Sequence, residues 1–241
     1  MRLFLLVIFS LYCNISTALI VGVETTDYAP YFHFDKEDKY QGAAREIIDL
    51  FAQSQKLKLD YHPMPVPRLF NEFVKGRIDL KFPDNSLWSA SLHSEVLVHY
   101  SAPVLAVSET LIIVKPEKGS EDEYKTVKLV GNIFGFSTPG IKDNIKNKEF
   151  ELVKTKKIEQ LIHMLISGRV DAIYFNTEVA LEVAKQLYPN KILIAHPKYP
   201  AFNYAYHLSS IKHKELITLF DKFLISHAEQ VAEIRNRYGL K

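Results

Sequence analysis

Apolar and polar positions along the chain fall into short runs of two kinds, and the two kinds alternate. Residues 19–23 are unbroken apolar or glycine, which predicts a short buried strand, followed by a Tyr- and Pro-containing loop over 25–34. Over 42–55, Ile47, Ile48, Leu50 and Phe51 recur at helical spacing. Residues 57–62 alternate as a strand does, and Pro63, Pro65 and Pro67 are expected to stop it. Helical spacing returns over 68–74, and Gly76 ends that helix in the usual C-terminal glycine position. Residues 78–82 read as the next strand. Strand, helix, strand, helix, strand predicts a parallel sheet with crossover helices.

The same order then repeats. Residues 127–133 read as a strand, 141–146 as a short helix, 150–154 as a strand and 158–166 as a helix. Next comes Gly168-Arg169-Val170-Asp171-Ala172, ninety-two positions after Gly76-Arg77-Ile78-Asp79-Leu80. In both, a glycine ends an amphipathic helix and Arg-(Ile/Val)-Asp leads into a buried strand. One such pair can arise by chance; with the matching elements around it, the pattern predicts a duplicated architecture. The copies are joined by the apolar, β-branched run 104–115 and a charged stretch, 117–125. After the second copy, 202–208 alternates as a strand, and 214–238 is expected to be helical, with Leu216, Leu219, Phe220, Phe223 and Leu224 on one side. A chain that crosses to a second lobe and later returns has two connecting strands. They form a hinge, with a cleft between the lobes.

The ends and the composition narrow the picture. Arg2, the apolar residues 3–12 and the small residues Ser16-Thr17-Ala18 have the layout of a cleavable signal peptide, and the run is short of the roughly 20 apolar residues that span a bilayer. A buried first strand or an uncleaved anchor is the alternative. Cys13, the sole cysteine, lies inside this segment, and Leu11-Tyr12 before it do not suit a lipoprotein signal. Cleavage after Ala18 leaves 223 residues without cysteine, which excludes disulfides, thiolate metal sites and cysteine nucleophiles. Losing Arg2 takes the formal charge from +2 to +1, so no nucleic-acid partner is implied. Hydrophobic residues at 47% and charged residues at 24% are an ordinary globular balance, and no later segment is apolar for eighteen residues. His93, His99, His163, His196 and His207 do not recur at metal-binding spacings, and no phosphate loop, dinucleotide fingerprint or Gly-x-Ser-x-Gly occurs. No cofactor is expected.

Taken in order, Tyr28-Ala29-Pro30-Tyr31-Phe32, Gly42, the two Gly-Arg-(Ile/Val)-Asp segments, Tyr100-Ser101-Ala102-Pro103-Val104, residues 131–137 and the closing Arg237-Tyr238-Gly239 resemble the family 3 extracellular solute-binding proteins. The resemblance covers essentially the whole chain after residue 18. It implies an α/β fold of the two-lobed, type II periplasmic-binding-protein kind, each lobe a sheet flanked by helices and joined by two hinge strands. The implied division is 1–18 signal peptide, 19–107 first part of lobe one, 108–198 lobe two and 199–241 the return to lobe one. The implied location is the periplasm, and the implied state is a monomer.

Amino acid binders of this family have an arginine about six residues before the Phe-Ser-x-Pro-like segment, for the ligand α-carboxylate, a task that suits bidentate geometry. Here residues 91–95 read Ser-Leu-His-Ser-Glu, and Ser94 stands at that place. The family's acidic partner for the α-ammonium, a few positions after the second Gly-Arg-Val-Asp, is replaced by the neutral Asn176. An ordinary α-amino acid would lose both charged partners, so a different small polar solute is expected. Other side chains are candidates to hold it. Arg68, at a helix start near the expected cleft, either clamps an anionic group or ends in solvent. Asp84 and Asn85 follow a strand whose end points into the crevice, and they either line the site or form an Asx turn. Trp88 is either a ring wall or core packing. Tyr28 and Phe32 fall where the resemblance implies stacking on the ligand, against ordinary loop packing. In lobe two, Phe136 and Ser137 precede a helix near Pro139, and a hydroxyl there either caps it or donates to a ligand.

The expected function is a periplasmic receptor that closes on a small polar solute and presents the closed form to the membrane component of an ABC-type importer. The alternatives are ligand sensing for a separate membrane sensor, and a dehydratase-like enzyme on the same fold with Asp84 as its carboxylate base.

Overall fold

A computed structural model of the chain describes residues 18–88, 96–116, 124 and 126–240. Each half is built on three parallel strands. In the first, β1 (Leu19–Glu24) is followed by the short pair β2 (His33–Phe34) and β3 (Tyr40–Gln41), helix α1 (Ala43–Gln55), β4 (Leu59–Met64), α2 (Val66–Val74) and β5 (Leu80–Asp84). A two-residue β6 (His99–Tyr100) precedes the long strand β7 (Leu105–Val114). The second half runs β8 (Leu129–Ile133), a 3-10 turn (Pro139–Ile141), α3 (Lys142–Lys146), β9 (Glu151–Thr155), α4 (Ile158–Ile166), β10 (Ala172–Asn176), α5 (Thr177–Leu187) and β11 (Leu193–Ala195). The chain returns through β12 (Phe202–Ser210) and closes with α6 (Lys214–Ser226) and α7 (Ala228–Arg237).

The sheet order is β4-β1-β5-β12-β7-β10-β8-β9. Reading outward from its centre, each half is one long antiparallel strand and then three parallel strands in the same connectivity, β5-β1-β4 and β10-β8-β9. The two long strands, β12 and β7, pair with each other antiparallel, from Phe202 opposite Glu109 to Tyr206 opposite Leu105. This ribbon joins the halves, as expected of a two-lobed α/β fold with two connecting strands.

The repeat seen in the sequence is atomic in detail. Gly76 and Gly168 both take a left-handed conformation, with φ of 69° and 70°. Their amides donate to Phe73 and Leu165, and the following arginine amides to Glu72 and Met164, in each case ninety-two residues apart. The amides of Asp79 and Asp171 donate to the carbonyls of Ile20 and Leu129 at 2.9 Å in both copies. Their carboxylates accept from amides at the starts of β1 and β8, Ile20 at 2.8 Å and Leu129 at 2.8 Å. Two positions on, Gly22 and Gly131 lie under the crossover helices. A Cβ on Gly22 would sit 2.6 Å from Leu69 Cδ1, and one on Gly131 would sit 2.7 Å from Leu161 Cδ1. The Gly-Arg-(Ile/Val)-Asp segment therefore ends a helix and pins the first strand of its half.

Several boundaries differ from the sequence reading. Pro63 does not end β4, because β4 is the edge strand and needs no donor on its free side. Pro67 lies in the first turn of α2, where an amide is not needed, so the helix starts at Val66. Helix α5 has no counterpart in that reading, since its buried face is the small set Val179, Ala180 and Ala184. The tail is two helices rather than one. The break at His227 turns α7 so that the Arg235 guanidinium donates to the Val104 carbonyl at 2.6 and 3.0 Å, tying the closing helix to the start of the hinge. No helix among the described residues is long and apolar enough to cross a membrane.

Candidate functional site

Parallel strands of α/β sheets deliver their C-terminal ends to one side, where loops can line a crevice. In this chain the end of β1 and the segments that follow β5 and β8 surround a cleft with about 370 Å³ of empty space. Glu24, the last residue of β1, lines it together with Val66 and Phe70 of α2 and Trp88. Across from them lie Gly135, Phe136 and Ser137, just after β8. The hinge ribbon forms the floor, with Glu109 of β7 and Tyr204 and Tyr206 of β12. Side chains two apart on a strand share a face, which is why Tyr204 and Tyr206 reach the cleft together.

The halves are close. Gly135 has φ of 90°, and a Cβ there would fall 2.9 Å from Pro67 Cδ and 3.2 Å from Val66 Cβ. Only about 20 Å³ of the cleft is open to the centre of a water molecule, room for about one water. A larger guest must part the halves to enter.

The walls are aromatic. Trp88 meets Tyr206 and Tyr204 edge to face at 5.6 and 6.0 Å, and the two tyrosines meet at 6.0 Å. Phe136 stacks on Phe175 at 5.9 Å with the planes 5° apart. Among these rings stand two buried carboxyls. Glu24 is 4% exposed and no side-chain hydrogen bond from the described residues reaches it. Burial pushes it up to about 7, against the attraction of Lys81 and with repulsion from Asp84 and Glu109. Glu109 is 6% exposed; the Tyr204 hydroxyl donates to Oε1 at 2.8 Å, and Oε2 has no hydrogen-bond partner among the described residues. Burial pushes Glu109 up to about 7 as well, opposed by the Tyr204 and Tyr174 hydroxyls.

Behind Glu24 lies a second buried pair. Lys81 Nζ is 2.7 Å from Asp84 Oδ1, and both side chains are wholly buried. The ammonium also sits over the Phe70 ring, 3.7 Å from its centre. Desolvation pulls the Lys81 ammonium below its ordinary range, and Asp84 and Glu24 oppose that shift. Asp84 Oδ2 accepts from Ser209 at 2.5 Å and Oδ1 from the Asn85 amide at 2.8 Å.

The residues singled out from sequence divide accordingly. Trp88, Phe136 and Ser137 line the cleft. Tyr28 and Phe32 lie behind it, stacked on each other at 5.3 Å, with Tyr28 also against Phe175 and Tyr206. Asp84 is held by Lys81, and Asn85 forms the Asx turn to Leu87 while its amide donates to Ala205. Asn176 caps α5 through Val179 at 3.0 Å and donates to the Tyr31 hydroxyl at 3.3 Å. Arg68 is exposed; on α2 it is two residues from both Val66 and Phe70, which puts it on another face. Ser94 lies outside the described residues. Thr138 precedes the turn at Pro139 without a side-chain capping bond. Glu24, Glu109, Tyr204 and Tyr206 were missed. A lone carboxylate inside the apolar run 104–115 was a signal for Glu109, and the end of the first buried strand was one for Glu24.

The model of the bacterial extracellular solute-binding proteins, family 3, matches residues 19–239. Among curated proteins, no sequence matches this chain. Solved structures similar to it include a histidine kinase sensor domain with similarity to periplasmic binding proteins, at 17% identity and TM-score 0.74, covering 92% of this chain and 96% of that one. The arginine-, lysine-, histidine-binding protein ArtJ from Geobacillus stearothermophilus aligns at 19% identity and TM-score 0.71, over 92% and 95%. AncCDT-1, an ancestral amino acid-binding protein and precursor of cyclohexadienyl dehydratase, aligns at 16% identity and TM-score 0.70, over 92% and 94%. These likenesses show the fold, the two-lobed architecture of type II periplasmic binding proteins.

Proposed function

The chain belongs to the bacterial extracellular solute-binding proteins, family 3, and from that premise we propose that it is a periplasmic receptor whose two lobes close on a small polar solute for delivery to an ABC-type importer. The reading rests on one observation above the others: a single cleft takes its lining from both halves and from the ribbon between them. A solute in that cleft touches both halves only when they approach, so it stabilises the closed state by its differential contacts there. We place lobe one at 19–107 and 199–241 and lobe two at 108–198, with residues 1–18 as a cleaved export signal. The ligand anchors differ from those of the family's amino acid binders, since Ser94 and Asn176 stand where charged partners are expected, and Asn176 is engaged in capping a helix.

The test is a thermal-shift screen of the chain from residue 19 against amino acids, amines, sugars and carboxylates. A ligand at 100 times its Kd should stabilise by about 2.7 kcal/mol. A dose-dependent rise in Tm with one class supports the receptor, and no response to any class contradicts it. Catalysis is the second reading, favoured by two cleft carboxyls held near neutrality, a range suited to proton transfer. Product detected by mass spectrometry after incubation with a hit, and lost in Glu109→Gln, would replace binding with turnover.

A further inference from the structure

The buried charges of the cleft do not balance. The buried Glu24 carboxyl is repelled by Asp84 and by Glu109, and the cation that attracts it, Lys81, is already 2.7 Å from Asp84. None of the described lining residues is a lysine or arginine. Among the described residues no side chain donates a hydrogen bond to Glu24 or to Glu109 Oε2, and the attraction of Lys81 does not offset the burial of Glu24. A buried carboxylate in that condition is costly, and a cation brought by the guest relieves it. The rings around them point the same way, since the electron-rich faces of Trp and Tyr attract cations in a desolvated site. The protein already holds one ammonium by this combination, Lys81 between Asp84 and the Phe70 ring. A carboxylate on the guest, by contrast, would meet two carboxyls and, among the described lining residues, no lysine or arginine.

We propose that the solute is a small organic cation lacking a free carboxylate, an alkylamine or a guanidine, held between the Glu24 and Glu109 carboxylates and the rings of Trp88, Tyr204 and Tyr206. This deepens the receptor reading and rests on it. Decarboxylated and intact amino acids form matched probes: agmatine against arginine, cadaverine against lysine, histamine against histidine, with glucose and citrate as neutral and anionic controls. Calorimetric titration of the mature chain at pH 8 should show at least one amine binding tenfold or more tighter than its parent amino acid. Glu24→Gln and Glu109→Gln, which keep shape and the Tyr204 contact, should each weaken that amine at least tenfold while the ligand-free Tm at pH 8 does not fall. Parent amino acids binding tighter than the amines, or a Kd unmoved in both variants, overturns the cation assignment. Tight binding of citrate or glucose alone overturns it and leaves the receptor reading standing. If no probe of any class binds, both fall.

Discussion

Glu24→Gln and Glu109→Gln should change how stability depends on pH, in a direction fixed by burial. Both carboxyls are pushed from an ordinary 4.5 up to about 7 by desolvation. Between those values the native state keeps protons that the unfolded chain has released, so stability falls as pH rises. The favourable contribution is whole below about pH 4.5 and gone above about 7. A gap of about 2.5 units corresponds to about 3 kcal/mol for one group. Glu109 also raises Glu24, so the two losses are not independent. For a chain of this length 1 kcal/mol moves Tm by about 2–4 °C, which makes about 6–12 °C of pH dependence per carboxyl. Lys81, pulled down by burial, acts in the opposite sense toward 10.5, and Asp35 and Asp79, both lowered from 3.8, act at the acid end. Comparing wild type with each Gln variant therefore isolates the cleft. The assay is a set of melts by circular dichroism at fixed ionic strength from pH 5 to 8, on protein refolded from denaturant to strip bound solute. Wild type should lose Tm across the range and each variant should lose less. Parallel curves would mean that the carboxyls are solvated and the cleft is not dry, which would refute the reasoning.

Other outcomes follow from single contacts. Lys81→Met should destabilise by about 3–5 kcal/mol in urea titrations, because it leaves Asp84 buried without its partner, and adding Asp84→Leu should recover much of the loss. Gly22→Ala and Gly131→Ala should each cost about 1–3 kcal/mol by crowding Leu69 and Leu161, without changing the pH slope. Gly135→Ala should weaken solute binding in calorimetry more than it lowers the ligand-free Tm, since its Cβ would meet Pro67 across the cleft and block closure. An unchanged Kd in that variant would remove the case for contact between the halves on closing.

Most of the framework was legible in the chain because it depends on local signals that repeat. The glycine after each crossover helix and the Arg-(Ile/Val)-Asp after it marked the helix end and the strand start in both copies, while the tie of each aspartate to the neighbouring strand became visible only in the structure. The lining of the cleft was less legible. Trp88, Phe136 and Ser137 follow strand ends, where the rule about crevices applies directly. Glu109, Tyr204 and Tyr206 lie in mid-strand on the hinge, and they reach the cleft only because β7 and β12 pair in one register, a long-range fact. Arg68 shows the converse. Its chemistry suited a ligand clamp, but the helix begins two residues earlier than its prolines suggested, and the cleft-facing positions became Val66 and Phe70. Asp84 drew attention as a free carboxylate, while Lys81, three residues away on the same strand, holds it.

The central claim is that a small solute closes the two halves on each other, and hydrogen–deuterium exchange tests it most directly. The chain from residue 19 would be compared with and without a saturating concentration of the compound that gives the largest thermal shift. Protection should increase together on both sides of the cleft, in peptides covering 64–70 and 84–88 and in peptides covering 133–138, with 202–206 of the ribbon following. Protection confined to one half, or found instead at the outer groove between α1 and α7 around Glu46 and Arg237, would contradict it.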